Sequence, residues 1–460
     1  MTLWTAKEAE AATGGRAHGD WSVNGISIDT RTIARGDLFV ALKAARDGHD
    51  FVAEALKKGA GAALVSHVPE GLSAGAPLLI VDDVQTGLEA LGAAARARTN
   101  AKVVAVTGSV GKTSTKEMLA SMLADQGRTH AAVSSYNNHW GVPLTLARMP
   151  RDTEFAVVEV GMNHPGEIAP LVRQARPHVA MVTTVAPVHV EAFADVAGIA
   201  REKAAIMEGL EPGGVAILNA DLTETPVLVS EADRLGVRAR WFGTTSDEYH
   251  LGDVILSGEK TCAAVSCKGA SKTLSIQSLG AHFAMNALGA LAAVDALGAD
   301  LDQAIQNLAS WSPVQGRGAR LSIPVAGGAI TVLDDSYNAN PTSVGAALAV
   351  LVATPTAGRR IACLGDMGEL GEEAEALHAG LAAYDAMTGV DAVYSVGPLM
   401  RNLHRALPQG HAGKWFETST EAAAALMQDL STGDILLVKG SNYMQLVRVV
   451  DALREMGQGN

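Results

Sequence analysis

The sequence predicts an α/β protein built from mostly parallel, doubly wound sheets and divided into about three domains. Short Val/Ile/Leu runs alternate with Ala-rich helical stretches, the pattern of buried parallel strands joined by helices. Glycine is abundant, at 48 residues, and aromatics are sparse, at 4%, in keeping with that alternation. A length of 460 residues at roughly 150 per domain gives the domain count.

Composition narrows the class. Thirty-six Lys and Arg against 49 Asp and Glu leave a net charge of −13. That argues against a general nucleic-acid binder, which needs a basic face to neutralise phosphates. It leaves room for a local phosphate pocket, which needs only a few aimed donors. An apolar share of 48% lies well above the disordered range. No apolar stretch reaches the ~20 residues that span a bilayer, so no membrane span is expected. The opening MTLWTAKEAE carries two Glu and no long apolar core, unlike a secretory signal. Cys262, Cys267 and Cys363 are too few and too scattered for a disulfide framework. The expectation is a cytoplasmic enzyme or binding protein without a nucleic-acid partner.

The first block, 1–98, holds a strand at 37–43 (DLFVALK), a helix at 51–59 and a strand at 62–66. The helix at 85–99 that follows places Leu88, Leu91 and Ala95 on one face. The second block, 99–318, opens with the strand AKVVAVTG (101–108) and continues with strands at 154–161, 179–186 and 214–221. A long helix is expected over 278–298, and WSPVQGRGAR (311–320) reads as a junction. The third block, 319–460, has strands at 329–335, 359–366, 391–397 and 434–440. Polar residues stand where these apolar runs end: Thr107 to Thr113, Glu159, His189, Asp334, Asp335, Asp366 and Lys439. In open α/β sheets ligands bind at the carboxyl ends of strands, so topology places the chemistry there.

TGSVGKTST (107–115) joins a strand to the amphipathic TKEMLASMLAD. A glycine-rich turn there aims backbone N–H groups at one anion, and the helix N-terminus adds partial positive charge. Lys112 would reach the β- and γ-phosphates and Thr113 would sit on Mg²⁺. The full phosphate-loop pattern wants a first glycine where Val106 stands. The loop is therefore a shortened one, carried by Gly108 and Gly111, and Thr107, Ser109, Val110 and Ser114 complete it. The bland alternative is a glycine-rich connection that binds nothing.

Glu159 lies within FAVVEVG, and a buried carboxylate needs a cation or donors. Mg²⁺ takes one or two carboxylates with phosphate oxygens and water; pairing with a structural Arg is an equal reading from the residue alone. His189, taken singly, reads as a structural histidine. Lys203 reads as a solvated lysine beside Glu202. Cys262 and Cys267 lack partner ligands at metal spacing and read as structural.

Taken together and in order, TGSVGKTST, NNHWGVPLTL (137–146), EVGMNHPGEI (159–168), VAPVHVEAF (185–193), GIAREKAAI (198–206), NAD (219–221), DDSYNANP (334–341) and LGDMGELG (364–371) resemble the motifs of the Mur ligase family over almost the whole chain. DDSYNANP with NNHWGVP resembles the member that adds D-alanyl-D-alanine to a UDP-N-acetylmuramoyl-tripeptide. The DYAHTP-like and DNPR-like segments of the enzyme that adds the third residue are absent. The resemblance implies an N-terminal UDP-binding domain, a central ATPase and a C-terminal Rossmann-like domain that closes over the site. It implies ATP, two Mg²⁺ ions and a monomer.

It also implies roles. Thr113 and Glu159 become ligands of a first Mg²⁺ and His189 of a second. Lys203 matches the lysine that the family carbamylates, although EKAAI stands here where members often read AKGEI. Asn286 resembles the adenine-contacting Asn, and Arg317 the junction arginine that reaches ATP phosphates. Asp335 resembles the acceptor from the ribose hydroxyls, with Asp334 the alternative. Ser27, Thr30 and Arg31, in SIDTRTIARGDLFVAL, resemble the UDP-holding segment, and DGHDF (47–51) belongs to the same pattern. Asn137 and Asn138 would face the muramyl-peptide side of the cleft. The implied reaction makes an acyl phosphate, which the amine of D-alanyl-D-alanine then attacks. Three rivals are weighed. A folylpolyglutamate synthase is disfavoured by DDSYNANP and the UDP-type first block, and a P-loop GTPase or kinase by the lack of an NKxD-like motif. A catalytically silent nucleotide-binding subunit is disfavoured by the joint presence of Lys112, Glu159, His189 and Lys203.

Overall fold

The inner parallel strands of the central sheet, Lys102–Thr107, Phe155–Glu159, Val179–Val182 and Val215–Asn219, bury both of their faces, and for that reason they read as continuous apolar runs. The computed structural model describes residues 2–73, 75–188 and 190–458. Val104, Val106, Val157, Val179 and Met181 pack on one side against helices Lys112–Leu123 and Ala281–Ala296. Val103, Ala105, Ala156, Val158, Ala180 and Val182 pack on the other against Ile168–Ala175, Val196–Ala204 and Thr225–Leu235. The alternation of successive side chains between two covered faces is the doubly wound arrangement the sequence predicts.

This sheet has nine strands. Lys102–Thr107 lies between Phe155–Glu159 and Val179–Val182, parallel to both. The chain thus leaves the first strand to build on one side and then crosses to the other, which makes the carboxyl end of Lys102–Thr107 the switch point where a ligand crevice opens. Beyond Val215–Asn219 and Arg238–Gly243 the sheet continues into Tyr249–Ser257, Lys260–Cys267 and Ala270–Ile276, the last two antiparallel to their neighbours. Sequence reading leaves this extension unassigned. Its strands alternate buried and exposed residues, and Lys268 and Gly269 (φ +51° and +85°) turn one hairpin with two left-handed residues. Cys262 and Cys267 lie within it as free thiols.

Among the described residues this sheet is accompanied by a two-stranded antiparallel pair, Trp4–Thr5 with Ser22–Val23, and by two larger sheets. The N-terminal sheet has five strands in the order Arg16–His18, Leu78–Ile80, Ala62–Val65, Asp37–Val40, Gly25–Ser27, antiparallel only at Arg16–His18. Helix Val84–Ala97 buries Leu88, Leu91 and Ala95 completely against it. The C-terminal sheet has six strands in the order Ala319–Val325, Gly328–Asp335, Ile435–Lys439, Arg360–Gly365, Ala392–Val396, Ala412–Phe416. Its edge strand Ala319–Val325 is antiparallel and the rest run parallel.

Several expected elements are shorter than their apolar runs, the strand expected over 37–43, for one, ending at Val40. The strand expected over 179–186 ends at Val182, because Thr183 and Thr184 leave the ladder to brace the 107–112 loop. The helix expected from 278 starts at Ala281, after Gly280 at φ +144°.

Candidate active site

The 107–112 loop is tied down on one side by the segment that follows the neighbouring strand. Thr183 Oγ1 donates to the Val110 carbonyl at 2.7 Å, Ser109 N donates to the Thr184 carbonyl at 2.8 Å, and Ser109 Oγ donates to the Ala186 carbonyl at 3.0 Å. Gly108 (φ +151°) has no room for a side chain, since a Cβ would lie 1.9 Å from Thr183 Oγ1. Gly111 (φ +88°) caps the following helix, and a Cβ there would press on Asn286 Oδ1 at 2.9 Å. Both glycines of the shortened motif are thus sterically required. Lys112 opens the helix and donates to the Gly108 carbonyl at 2.6 Å. Burial lowers its pKa to about 8, against the pull of Glu159 and with the push of Arg317.

Glu159 ends its strand beside this loop and is 1% exposed. Among the described residues no arginine pairs with it. Its Oε1 accepts from Thr113 Oγ1 at 3.2 Å and from Asn137 Nδ2 at 2.7 Å, while Oε2 is buried with no hydrogen-bond partner among the described residues. A buried, half-satisfied carboxylate next to a hydroxyl and a phosphate loop is an incomplete oxygen donor set, and it fits a hard cation such as Mg²⁺. Among the described residues no cluster of three or more His, Cys, Asp or Glu side chains is placed to hold a metal. His189 lies outside the described residues.

Lys203 departs from the bland sequence reading. It is 1% exposed on helix Val196–Ala204. Burial first, and the like charge of Lys112 second, hold its pKa well below the ordinary lysine range. Its neighbour Glu202 turns instead to cap helix Ile168–Ala175, accepting from Gly166 N at 2.8 Å and Ile168 N at 2.9 Å.

The far wall comes from the C-terminal sheet. Asp335 and Lys439 are register partners at the carboxyl ends of adjacent parallel strands and pair at 2.6 Å. Burial raises Asp335 above the usual carboxylate range although Lys439 draws it down. Asp334 points the other way, into the junction. It accepts from Gly316 N at 3.0 Å and Ser336 Oγ at 2.6 Å. Arg317, held between the left-handed Gly316 and Gly318, stacks on the Tyr337 ring at 4.0 Å and donates to Ser135 Oγ at 3.0 Å.

These walls enclose a cavity of about 490 Å³. It gathers Ser109, Val110, Gly111, Lys112, Thr113, Ser114, Asn137, Asn138, Glu159, Asn286, Arg317 and Asp335 from distant parts of the chain. Thr107, Gly108 and Lys203 are not part of that lining. Asn137 faces the Glu159 end, and Asn138 Oδ1 accepts from Gly141 N at 2.9 Å. Ser27, Thr30 and Arg31 lie apart, in the N-terminal sheet and its following loop. Ser27 Oγ donates to the Asp29 carbonyl at 3.1 Å, the Thr30 carbonyl accepts from Lys58 at 3.0 Å, and the exposed Arg31 pairs with Asp29 at 2.6 Å. Sequence reasoning missed Ser135, His282 and Tyr337, which also line the cavity. His282 stands one helical turn before Asn286, a spacing that could have found it. Burial, with Lys439 nearby, lowers its pKa to about 4.

Residues 22–126 match the Mur ligase family, catalytic domain; residues 106–294 the Mur ligase middle domain; residues 319–442 the Mur ligase, glutamate ligase domain. The chain is 36% identical over 444 residues to the UDP-N-acetylmuramoyl-tripeptide–D-alanyl-D-alanine ligase of Escherichia coli, covering 95% of each. The crystal structure of MurF from Acinetobacter baumannii matches with TM-score 0.83 at 30% identity, over 98% of this chain and 99% of that one. A MurF ligase from Thermotoga maritima in complex with ADP matches with TM-score 0.77 at 26% identity, over 95% and 98%.

Proposed function

This chain belongs to the Mur ligase family, and from that premise we propose how its cavity performs the family's reaction. The chain is an ATP-dependent, ADP-forming ligase that joins D-alanyl-D-alanine to UDP-N-acetylmuramoyl-tripeptide in peptidoglycan precursor synthesis. In the reading we favour, residues 1–98 hold the UDP substrate, 99–318 hold ATP, and 319–460 close over both. The enzyme works as a cytoplasmic monomer, and among the described residues no helix is long and apolar enough to cross a membrane.

The observation that carries the site assignment is the convergence of Lys112, the unpartnered Oε2 of Glu159 and the Asp335–Lys439 pair on one cavity. The tripeptide carboxylate attacks the γ-phosphorus of ATP. The bond to ADP breaks and an acyl phosphate forms. The neutral D-alanyl-D-alanine amine then attacks the acyl carbon, the amide forms, and phosphate leaves with the former acyl C–O electron pair and takes up the proton the amine nitrogen loses. Two anions meet in the first step, so local positive charge is the main requirement. Lys112 supplies one such charge beside loop N–H groups aimed at the phosphates. Arg317 supplies another from the junction.

The Thr113 hydroxyl and the half-satisfied Glu159 carboxylate fit Mg²⁺ and would hold one ion; a carbamylated Lys203, with His189 as the sequence resemblance implies, would hold a second. Bound there, Mg²⁺ would neutralise charge on the phosphates. The depressed pKa of Lys203 supports its carbamylation, because only a neutral amine adds to carbon dioxide and the product is an oxygen donor of opposite charge. Asn286 would meet adenine and Asp335 the ribose hydroxyls. Ser27, Thr30 and Arg31 would hold UDP, with Asn137 and Asn138 on the muramyl-peptide side. Phosphate release from ATP is the test, with the UDP-muramyl tripeptide and D-alanyl-D-alanine supplied singly and together. Release only with both is the expected result. Equal release with neither would overturn the ligase reading.

A further inference from the structure

Ser135 lies on the segment after the short edge strand Thr129–Ala131 and belongs to none of the family motifs discussed above. Its hydroxyl touches two parts of the site at once: Thr113 Oγ1 at 2.7 Å and Arg317 Nη2 at 3.0 Å. The proton inventory fixes the direction of each bond. Arg317 can only donate, so Ser135 Oγ accepts from it. Thr113 has one hydroxyl proton and gives it to the Glu159 carboxylate at 3.2 Å, which can only accept. The Ser135 proton therefore goes to Thr113. The result is a one-way chain, Arg317 to Ser135 to Thr113 to Glu159, running from the junction at the C-terminal sheet to the strand-end carboxylate of the central sheet.

A second observation shows that the relay point is held in place. Lys116, one turn into the helix after the loop, is fully buried. Its ammonium donates to the Ala132 carbonyl at 2.5 Å and the Ser134 carbonyl at 3.4 Å. The same ammonium pairs with the Glu117 carboxylate at 2.6 Å, which offsets the cost of its burial, and its two carbonyl bonds anchor the segment that leads into Ser135. The cation–π stack of Arg317 on Tyr337 orients the other end of the link.

We propose that Ser135 is a positioning residue of this ligase, whose hydroxyl couples the junction arginine Arg317 to the phosphate-loop residue Thr113. The proposal rests on the ligase reading. It gives Arg317 a fixed place over the phosphate loop, set by whether the central and C-terminal sheets stand together. A charge-assisted bond of this kind has a consequence for turnover of about tenfold.

The test is a double-mutant cycle. Ser135→Ala is expected to lower kcat about tenfold, the equivalent of one hydrogen bond to a charged group. KM for D-alanyl-D-alanine and for the UDP substrate should stay unchanged. Ser135→Thr, which keeps the hydroxyl, should restore kcat. In an Arg317→Ala background the Ser135→Ala change should cost less than about twofold, since the partner is already gone. A Ser135→Ala enzyme with wild-type kcat, or one whose loss is undiminished in the Arg317→Ala background, overturns the coupling. Thermal unfolding of each variant separates this from loss of fold. If wild type itself makes no ligation product, the ligase reading fails. The same cycle read as Mg–ADP affinity by calorimetry then decides the coupling on its own, with non-additive losses supporting it and additive ones overturning it.

Discussion

Lys112 is half-buried at the cavity wall, and partial desolvation brings its ammonium to about 8. The free protein therefore keeps this cation below that pH and loses it as pH rises through it. Affinity for Mg–ADP should fall above about pH 8, measured by calorimetry, and Lys112→Arg, whose guanidinium stays charged, should flatten the profile. Lys112→Ala should cut turnover by roughly 10²-fold or more, as for loss of an electrostatic stabiliser; near-normal turnover would refute that role. Lys203→Ala should be nearly inactive and partly restored by a small added carboxylate, and a variant with wild-type rates rules out the carbamate. Arg31→Ala should raise KM for the UDP substrate and leave that for ATP alone, because Arg31 lies on the surface of the N-terminal sheet away from the central cavity. The chemical types of these residues were legible in the sequence. The burial of Lys203 was not: GIAREKAAI is compatible with a solvated helix face, and only the packing of that helix on the sheet shows which side of it faces inward.

Strand, loop and helix at 102–123 act as one unit, and two glycines set its shape. Gly108→Ala would force a methyl group into Thr183 Oγ1, and Gly111→Ala would strain a left-handed residue against Asn286. Each should cost about 1–3 kcal/mol of stability, read by chemical denaturation, and each should weaken nucleotide binding more than it lowers the melting temperature. An unchanged affinity for Mg–ADP in both variants would remove the loop from the site. Parallel strands were legible at this scale because burial on both faces writes itself as an unbroken apolar run. The hairpins over 249–276 were not, because their alternating polar and apolar residues carry a weaker signal and their partners lie in one another.

The central and C-terminal sheets meet around the cavity. Arg317 reaches Ser135, and Gly371 N donates to Glu191 Oε1 at 3.2 Å, both joining the C-terminal sheet to the central one. A nucleotide that touches both walls should therefore stabilise the whole molecule. Mg–ADP at a hundred times its dissociation constant should add about 2.7 kcal/mol, seen as a rise in melting temperature that Lys112→Ala abolishes. A rise of equal size in that variant would place the nucleotide elsewhere. What the sequence determined by itself was local: apolar runs that must be strands covered on both faces, glycines that must turn between strand and helix, and polar residues at strand ends where a crevice opens. Only the tertiary structure decided which of those ends meet. Asp334 and Asp335 are neighbours of the same charge and type, yet one closes the junction and the other faces the cavity, because successive residues of a strand point to opposite sides and the neighbours on each side come from far along the chain.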